Sequence, residues 1–555
     1  MNILGINCFE HDSAATLLRD GEIVAVVEEE RFLRKKHIGD FPKKSIDFCL
    51  EKGEMKLTDI DHIAFSFDYS NKIKKRIWKF QPYFSRNRMK LYRHAKLLKS
   101  FKRNELEIKK LGVKADAKVH FMDHHMCHAA SAFFGSEFNR ANILSLDGQG
   151  ELTTTLLAEG KGNEIEKIKE INLPNSIGHL YTTFTKFLGF TPWGGEGKTM
   201  GLAPYGNDKF GNTFKKIVKF DENGFSIDSK FMWHFSQWDD LFNQFKKPFG
   251  MPRKNQHPIN GHFENIAYSL QKRTEETALH LVDLLKESTG RKDLCLAGGV
   301  ALNSAMNGKL LLDDNVNNIY IQPSSNDAGT SLGGAYMLYN QITGKRPEPT
   351  KHVYYGPEYS DEEIKNTLDK YKLKYNKSSD LTGDVADSLA KGDIVGWHQG
   401  RMEIGPRALG SRSILGNPAI EGMKDKINMH VKRREEWRPF APSVLNEKRD
   451  KYFENITDSP FMILIFKVKK EAQKIIEGAV HVDETARVQT VHKETNPLYH
   501  ETIKNFGKET GHWSVLNTSF NLRGEPIVNT PEEAVIDFYR SGMDKLAIGN
   551  YILEK

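Results

Sequence analysis

The chain has 555 residues, of which 39% are hydrophobic, and a formal net charge of +7. It can bury several sizeable cores, its charge is too small to mark it as a dedicated polyanion binder, and no apolar run approaches the roughly 18 residues of a membrane helix. Its four cysteines (Cys8, Cys49, Cys127, Cys295) are scattered without a CxxC pair, which excludes a zinc ribbon or disulfide framework and makes a reducing cytoplasm the expected location.

In chain order, MNILGINC reads directly as a strand over residues 1–7, not as a signal peptide. Two more strands are expected over 14–19 and 22–28, joined by the hairpin turn Asp20-Gly21. The turn Glu10-His11-Asp12-Ser13 separates the first two strands, and a helix follows over 43–52. Residues 72–114 are helical in composition and dense in Lys and Arg, with Trp78, Phe80, Tyr83, Phe84, Tyr92 and Phe101 interleaved. Basic residues with aromatics can bind nucleic acid; a solvated helical insertion is the favoured reading.

Residues 118–122 read as a buried strand, and Asp123-His124-His125-Met126-Cys127-His128 opens a helix. His124 and His128, four apart, share one helix face. Two imidazoles so placed can grip one divalent metal if a carboxylate closes the site from elsewhere. The plainer alternative is a helix start capped by Asp123, with histidines lying over the core.

The opening pattern then recurs. Strands over 143–146, 153–158 and 164–171 enclose the acidic turn Asp147-Gly148-Gln149-Gly150-Glu151. Strand, acidic turn, strand, turn, strand, twice over, signals an internal duplication. Two such halves facing each other define the architecture shared by actin, sugar kinases and Hsp70. Residues 194–201, GGEGKTMG, are not a P-loop, because Pro192 stands where the first glycine is needed. They are expected to form a glycine-rich anion nest. A long helix is expected over 264–288, and a strand over 293–296 runs into Gly298-Gly299, a plausible nucleotide seat at a helix N-terminus. A strand over 318–322 leads to Asp327 and a small-residue helix over 330–338.

Residues 341–358 read as a linker. Beyond it a helix is expected over 381–391 and a strand over 394–398. The arginines there sit beside Gly and Pro: Arg407 in a Gly-Pro-Arg turn, Arg438 before Pro439, Arg487 entering a β-like run. Rigidly placed guanidinium groups suit bidentate phosphate or carboxylate binding.

These motifs together resemble the O-carbamoyltransferases of nodulation-factor, cephalosporin, novobiocin and tobramycin biosynthesis. The likeness rests on the EHDSAA turn, the EEERF run with Lys36-His37, HHxxHAAS, DGxGE, GEGKxMGLAPYG, LAGGVALN, GPRALGxRSI, WRPFAP and NTSFNxxGEPIV. It implies an α/β chain with a duplicated actin-like (ASKHA) domain over 1–345, similar to the tRNA threonylcarbamoyl-transfer protein Kae1, and a YrdC-like α+β domain over 353–555. It implies that carbamoyl phosphate and ATP, with magnesium, give a carbamoyl adenylate, whose carbamoyl group passes to a hydroxyl of a sugar or secondary metabolite with release of AMP. It further implies a divalent metal, iron(II) by the family pattern, on His124, His128, Asp147 and Asp327. Lys36, Gly178, Gly299 and Asn303 match adenylate contacts. Arg407, Lys432, Arg438, Arg487 and Asn517 match carbamoyl-phosphate and ATP contacts, with Ser519 added from the same NTSFN run. Asp12 matches a position facing the acceptor and is a candidate general base; capping turn amides is its alternative role. His128 and Arg438 complete the catalytic set.

Three other readings compete. A tRNA threonylcarbamoyl-transfer enzyme would share both folds, but the motif order matches the small-molecule family. The hydrogenase-maturation carbamoyltransferase carries zinc-finger CxxC pairs, which this sequence lacks. A non-catalytic actin-like ATP-binding module would not need both histidines and the full arginine set. The acceptor and the oligomeric state are not legible in the sequence.

Overall fold

The structure, a computed structural model, describes residues 1–8, 10–68, 118–232, 238–254 and 257–555. The basic 72–114 segment lies outside the described residues. The chain divides into two compact units, Met1–Glu30 with His37–Thr350, and Arg31–Lys36 with Lys351–Lys555.

The first unit is built on two five-stranded sheets of identical topology. In the first, β1 (Asn2–Asn7), β2 (Ala14–Arg19) and β3 (Glu22–Glu28) form an antiparallel meander, and β4 (His62–Phe65) and β5 (Lys118–Phe121) add in parallel beside β1, in the order β3-β2-β1-β4-β5. In the second, β6 (Arg140–Leu146), β7 (Thr153–Lys161) and β8 (Glu164–Asn172) form the meander, and β9 (Asp293–Ala297) and β10 (Asn318–Ile321) add in parallel beside β6. This is the duplicated actin-like fold. The central strands are apolar on both sides because both faces are covered: Ile3, Leu4 and Ile6 of β1, like Ile143, Leu144 and Leu146 of β6, are buried.

The repeat extends to the helices. After β5 comes α1 (His124–Phe133), and after β10 comes α2 (Ala328–Thr343). Small residues let these helices meet at backbone distance. A Cβ added at Gly333 would lie 1.8 Å from the Cys127 carbonyl oxygen, and one at Gly5 would lie 2.0 Å from that of Ser331. Ala129, Ala130, Ala132, Leu332 and Ala335 fill the seam.

Two sequence readings are corrected. The 194–201 stretch is not an open loop: Glu196–Leu202 is a helix, and the Glu196 carboxylate accepts hydrogen bonds from the amides of Trp193 (3.0 Å) and Gly194 (2.7 Å). The Gly194 amide, one of those expected to hold an anion, is spent on the chain's own carboxylate. The linker read over 341–358 is largely structured as well. Helix α2 runs to Thr343 and ends on Gly344 in the left-handed region, and the Thr350 amide donates to the Gly135 carbonyl.

The second unit is an eight-stranded mixed sheet. Its strands are β11 (Asn376–Lys377), β12 (Val395–His398), β13 (Arg412–Gly416), β14 (Ala441–Leu445), β15 (Gln489–Val491), β16 (Ser514–Ser519), β17 (Lys545–Ile548) and β18 (Tyr551–Glu554), in the order β11-β18-β17-β12-β13-β16-β14-β15. Alternation along the strands feeds two cores. Val395, Trp397, Leu415, Val515 and Ala547 pack with helices Leu381–Lys391 and Pro497–Thr510. Ile414, Leu516, Leu546 and Ile548 pack with helix Pro531–Arg540.

The α1–α2 seam yields a stability prediction. Gly333→Ala forces a methyl into the Cys127 carbonyl, so the helices must part. The expected loss is on the order of 3 kcal/mol in denaturant unfolding. An unchanged midpoint would mean that the seam opens without cost.

Candidate functional site

Helix α1 starts where two carboxylates and a carbonyl fix it. Asp123 caps it by accepting from the Met126 amide at 3.0 Å. Glu151, fully buried, accepts from the amides of His124 (3.1 Å) and Asp68 (2.7 Å). The expected cap is therefore present, and the helical spacing brings His124 and His128 onto one buried face. Their rings meet edge-on, with centroids 4.6 Å apart, and Phe67 stacks on His124 at 4.2 Å.

Asp147, in the β6–β7 turn, and Asp327, at the start of α2, complete the group. His124 Nε2 lies 3.9 Å from Asp147 Oδ2 and 3.6 Å from Asp327 Oδ1, and His128 Nε2 lies 3.7 Å from Asp327 Oδ1. One atom from each residue falls within 4.8 Å of all the others. His124 Nδ1 lies 3.2 Å from the Ser66 carbonyl oxygen, an acceptor only, so Nδ1 carries a proton and Nε2 faces inward. His124 Nε2, both His128 nitrogens and Asp327 Oδ1 are buried without a hydrogen-bond partner. Orphaned buried polar atoms are costly. Three of them, one each from His124, His128 and Asp327, converge with a carboxylate oxygen of Asp147 and fit a divalent cation, and two imidazoles with two carboxylates suit Fe(II), Mn(II) or Zn(II). Despite burial, Asp327 and Asp147 are held well below the usual carboxylate range, chiefly by His11 and His124 for the former and by His124 for the latter. Burial, then the charges of His124 and His128, pushes the neighbouring His125 down to about 3.

Gly178 and Gly299 gather on the same turn. A Cβ at Gly178 would come within 2.9 Å of the Asp147 carbonyl oxygen, and the Gly299 amide donates to Asp147 Oδ1 at 2.8 Å. The first amide of the expected nucleotide seat is thus already used. Asn303 stands apart: it caps the helix Ser304–Leu311 through the Met306 amide and exchanges two hydrogen bonds with Gln271.

Asp12, in the β1–β2 turn, occupies the position in the first sheet that Asp147 holds in the second. Its backbone is left-handed, φ 53°. His37 Nδ1 meets Oδ1 at 2.8 Å, while His11 Nδ1 (3.1 Å) and Asn326 Nδ2 (2.9 Å) meet Oδ2. Although burial opposes it, His11 and then His37 hold Asp12 far below the usual carboxylate range. His11 Nε2 reaches to 3.9 Å from Asp327 Oδ2. His11 is absent from the candidates read in the sequence, although it stands next to Asp12 in the EHDSAA turn.

The second unit gathers cations. Lys432 is buried, and its Nζ donates to Asn521 Oδ1 (2.8 Å), the Asn521 carbonyl (3.1 Å) and the Ser519 carbonyl. Around it, half-buried Arg407, Arg434, Arg438 and Arg487 act on one another. Burial and the charge of Arg438 bring Arg407 down to about 10. Burial, then Arg407, Arg434 and Arg438, holds Arg487 well below the usual range, and burial, then Arg434, Lys36 and Arg438, does the same to Lys432. Nε of both Arg407 and Arg487 is buried without a partner, and Glu435 approaches Arg438 to 3.9 Å. Cations crowded this way need an anion to offset their repulsion. Asn517 joins Ser443, Gln489 and the Ala408 carbonyl through Nδ2, with Oδ1 unpartnered. Ser519 Oγ donates to Asn521. Lys36 counts with this unit, and it does not group with Gly178, Gly299 and Asn303, which lie in the first unit.

Arg434 and Glu403 carried no sequence signal strong enough to single them out. Glu403, buried, accepts from the amides of Leu409 (2.7 Å), Ser411 (3.3 Å) and Arg412 (3.2 Å). Arg412, fully buried, spends its guanidinium on the carbonyls of Gln399, Gly400, Ser411, Pro357 and Asn529. These two residues freeze the loop that presents Arg407.

Residues 2–336 match the family model described as Carbamoyltransferase N-terminus, and residues 386–555 match that described as Carbamoyltransferase C-terminus. The chain is 38% identical over 597 aligned residues to an uncharacterized protein of Synechocystis sp., covering 100% of this chain and 97% of that one. It is 37% identical to nodulation protein NolNO of Sinorhizobium fredii, over 99% of this chain and 80% of the relative. It is 31% identical to the 3'-hydroxymethylcephem-O-carbamoyltransferase of Amycolatopsis lactamdurans, over 46% of this chain and 48% of that enzyme.

The four converging ligand atoms predict about one divalent ion per chain. Elemental analysis of protein purified without chelators should find it, and the paired substitution His124→Ala, His128→Ala should lose it. Equal metal content in the double variant would sink the assignment.

Proposed function

The chain belongs to the carbamoyltransferase family, and on that premise we propose that it is an ATP-dependent O-carbamoyltransferase with two successive sites. In the second unit, the YrdC-like part, carbamoyl phosphate and ATP with magnesium become carbamoyl adenylate, with loss of phosphate and pyrophosphate. In the first unit, the Kae1-like part, the carbamoyl group passes to an acceptor hydroxyl and AMP leaves. The single observation that carries this reading is the crowding of Arg407, Lys432, Arg434, Arg438 and Arg487 around buried, unpartnered guanidinium nitrogens. Both co-substrates are polyanions, and a water-poor cationic pocket positions them and offsets their charge. Asn517 and Ser519 lie on strand β16, where Ser519 Oγ accepts from Lys432 and Asn517 Oδ1 is left as a neutral acceptor.

In the first unit the chain's residues divide the transfer step. His124, His128, Asp147 and Asp327 would hold the divalent metal, iron(II) by family resemblance, which when bound supplies Lewis acidity to carbonyl or phosphate oxygens. Gly178 and Gly299 keep the ground beside Asp147 free of side chains, where an adenylate can approach the backbone. Lys36, one bond from His37, and Asn303 are assigned to the adenylate by resemblance. Asp12 is ionised and saturated by three donors. Asp12 is the candidate general base for the acceptor hydroxyl, a contribution of order 10²–10⁴-fold, with its carboxylate held in place by His11 and His37. A cytoplasmic location and a sugar or secondary-metabolite acceptor complete the reading. Among the described residues no helix is long and apolar enough to cross a membrane.

The test separates the two steps. His128→Ala should retain carbamoyl-phosphate-dependent pyrophosphate release and lose transfer. Arg438→Lys should lose pyrophosphate release by about 10²-fold, because a point charge lacks the planar fork of a guanidinium. If folded His128→Ala releases no pyrophosphate, or Arg438→Lys releases it at the full rate, the division of labour is wrong.

A further inference from the structure

The cations of the second unit differ in how their nitrogens are spent. Nε of Arg407 and of Arg487 is buried without a partner. Arg434, which lies between Lys432 and Arg438 in the sequence, is committed instead. Its Nε donates to Asn428 Oδ1 at 2.7 Å, and a terminal guanidinium nitrogen donates to the Pro439 carbonyl at 3.3 Å. Its guanidinium carbon lies 4.5 Å from the centre of the Phe440 ring. A guanidinium that serves two acceptors of its own chain and rests on a ring has little left for a substrate.

Asn428 answers from the other side. It is fully buried, on the wide-turned helix Ile427–Lys432 that also carries Lys432. After that helix Arg433 enters the left-handed region, φ 46°, and turns the chain back, so that the Arg434 amide donates to the Asn428 carbonyl at 3.1 Å. Because Asn428 Oδ1 accepts from the guanidinium, its amide nitrogen faces the opposite way. Asn428 Nδ2 donates to the carbonyls of Glu436 (3.3 Å) and Arg438 (3.1 Å). Two side chains thus tie the carbonyls of Glu436, Arg438 and Pro439, on a segment that belongs to no strand or helix. The Arg438 guanidinium stays outside this set, with Glu435 Oε2 at 3.9 Å, beyond hydrogen-bond reach.

We propose that Asn428 and Arg434 are positioning residues for adenylate formation: they clamp the 436–440 segment to the helix of Lys432 and so fix Arg438 relative to Lys432, where both cations meet one polyphosphate. The inference rests on the ATP-dependent carbamoyl-transfer reading. The residue types suit the task. An irregular segment has no ladder of its own to hold it, so its carbonyls must be held by side chains. Only an arginine supplies a fork that reaches Asn428 and Pro439 together while its flat face lies over Phe440. Only an asparagine or glutamine accepts from that fork with one atom and donates to carbonyls with the other. A lysine at 434 keeps the charge and loses the fork. An alanine at 428 removes no charge at all. Either change releases the segment that carries Arg438, and a cationic site is effective only when its groups are held in place by the shell around them.

The experiment uses the full chain with carbamoyl phosphate and γ-labelled ATP, and reads the release of labelled pyrophosphate. Asn428→Ala and Arg434→Lys should each lower kcat/KM by about 10²-fold, the scale of a misplacement of about 1 Å, although neither changes the charge of the pocket. In an Arg438→Ala background the same substitutions should cost less than about twofold, because the residue they act through is gone. A general loss of stability would lower both backgrounds alike. If Asn428→Ala fails to fold by circular dichroism, Arg434→Lys, at a half-buried side chain, decides alone. Full release by Arg434→Lys, or an equal loss in both backgrounds, would overturn the clamp. If pyrophosphate release by the natural chain is normal and the clamp is overturned in this way, the proposed function stands without it. If the natural chain releases no pyrophosphate, that function falls, and the same cycle is read on the Kd of inorganic pyrophosphate by calorimetry. A weakening of about tenfold in each single variant that disappears in the Arg438→Ala background keeps the clamp. An undiminished weakening there, or no binding by the natural chain, overturns it.

Discussion

The first unit depends on keeping two imidazoles and two carboxylates apart from water without giving them one another as full partners. Their separations of 3.6 to 3.9 Å are longer than hydrogen bonds. Collapse into direct ion pairs would satisfy them and close the site. The scaffold prevents this from outside. Ser66 takes the back of His124, Gly299 and Gln149 donate to Asp147, and Glu151 pins the helix start. A buried group held by its rear contacts is preorganised for a ligand at its front.

The duplication explains how one chain places four such groups together. Asp12 and Asp147 lie in equivalent turns, and α1 and α2 follow equivalent strands. Yet the two halves use their equivalents differently. Asp123, the cap of α1, spends its carboxylate on the Met126 amide, and the histidines lie one residue and one further turn beyond. Asp327, the cap residue of α2, makes no capping bond and keeps its carboxylate for the centre. Asp147 faces the histidines, while Asp12 faces His11 and His37. Approximate symmetry brings the elements to one place, and departures from it assign the roles. Gly333 sets the scale of this convergence, because only a residue without a Cβ lets α2 rest on the Cys127 carbonyl.

Much of this was legible in the sequence. The strands Ala14–Arg19 and Glu22–Glu28 and the helices Lys43–Lys52 and Leu381–Lys391 fall where periodicity and turn chemistry put them. Local signals decided those elements. The pairing of His124 with His128 followed from helical spacing, and the wide separation of Asp147 and Asp327 along the chain was bridged only by family resemblance. What stayed hidden is tertiary. Glu196 turns a glycine-rich stretch into a helix by taking the amides behind it, a choice no composition records. Glu403 and Arg412 stabilise the loop of Arg407 through backbone groups, which carry no sequence identity. His11 carries no signal of its own beside Asp12: a short polar turn does not reveal which of its members face the centre.

The distribution of exposure bears on where specificity resides. On the proposed reading carbamoyl phosphate and ATP are the co-substrates, and the groups that would hold them gain from burial, where charge interactions strengthen. Lys432, His124, His128 and Asp327 follow that rule. An acceptor differs between related enzymes, and the residues that select it must be free to change without upsetting a buried charge network. From Asp327 through Asp12 to His11 and His37, side-chain exposure rises from 2% to 40%. Substitutions at the outer end leave the rear contacts of His124 and Asp147 untouched.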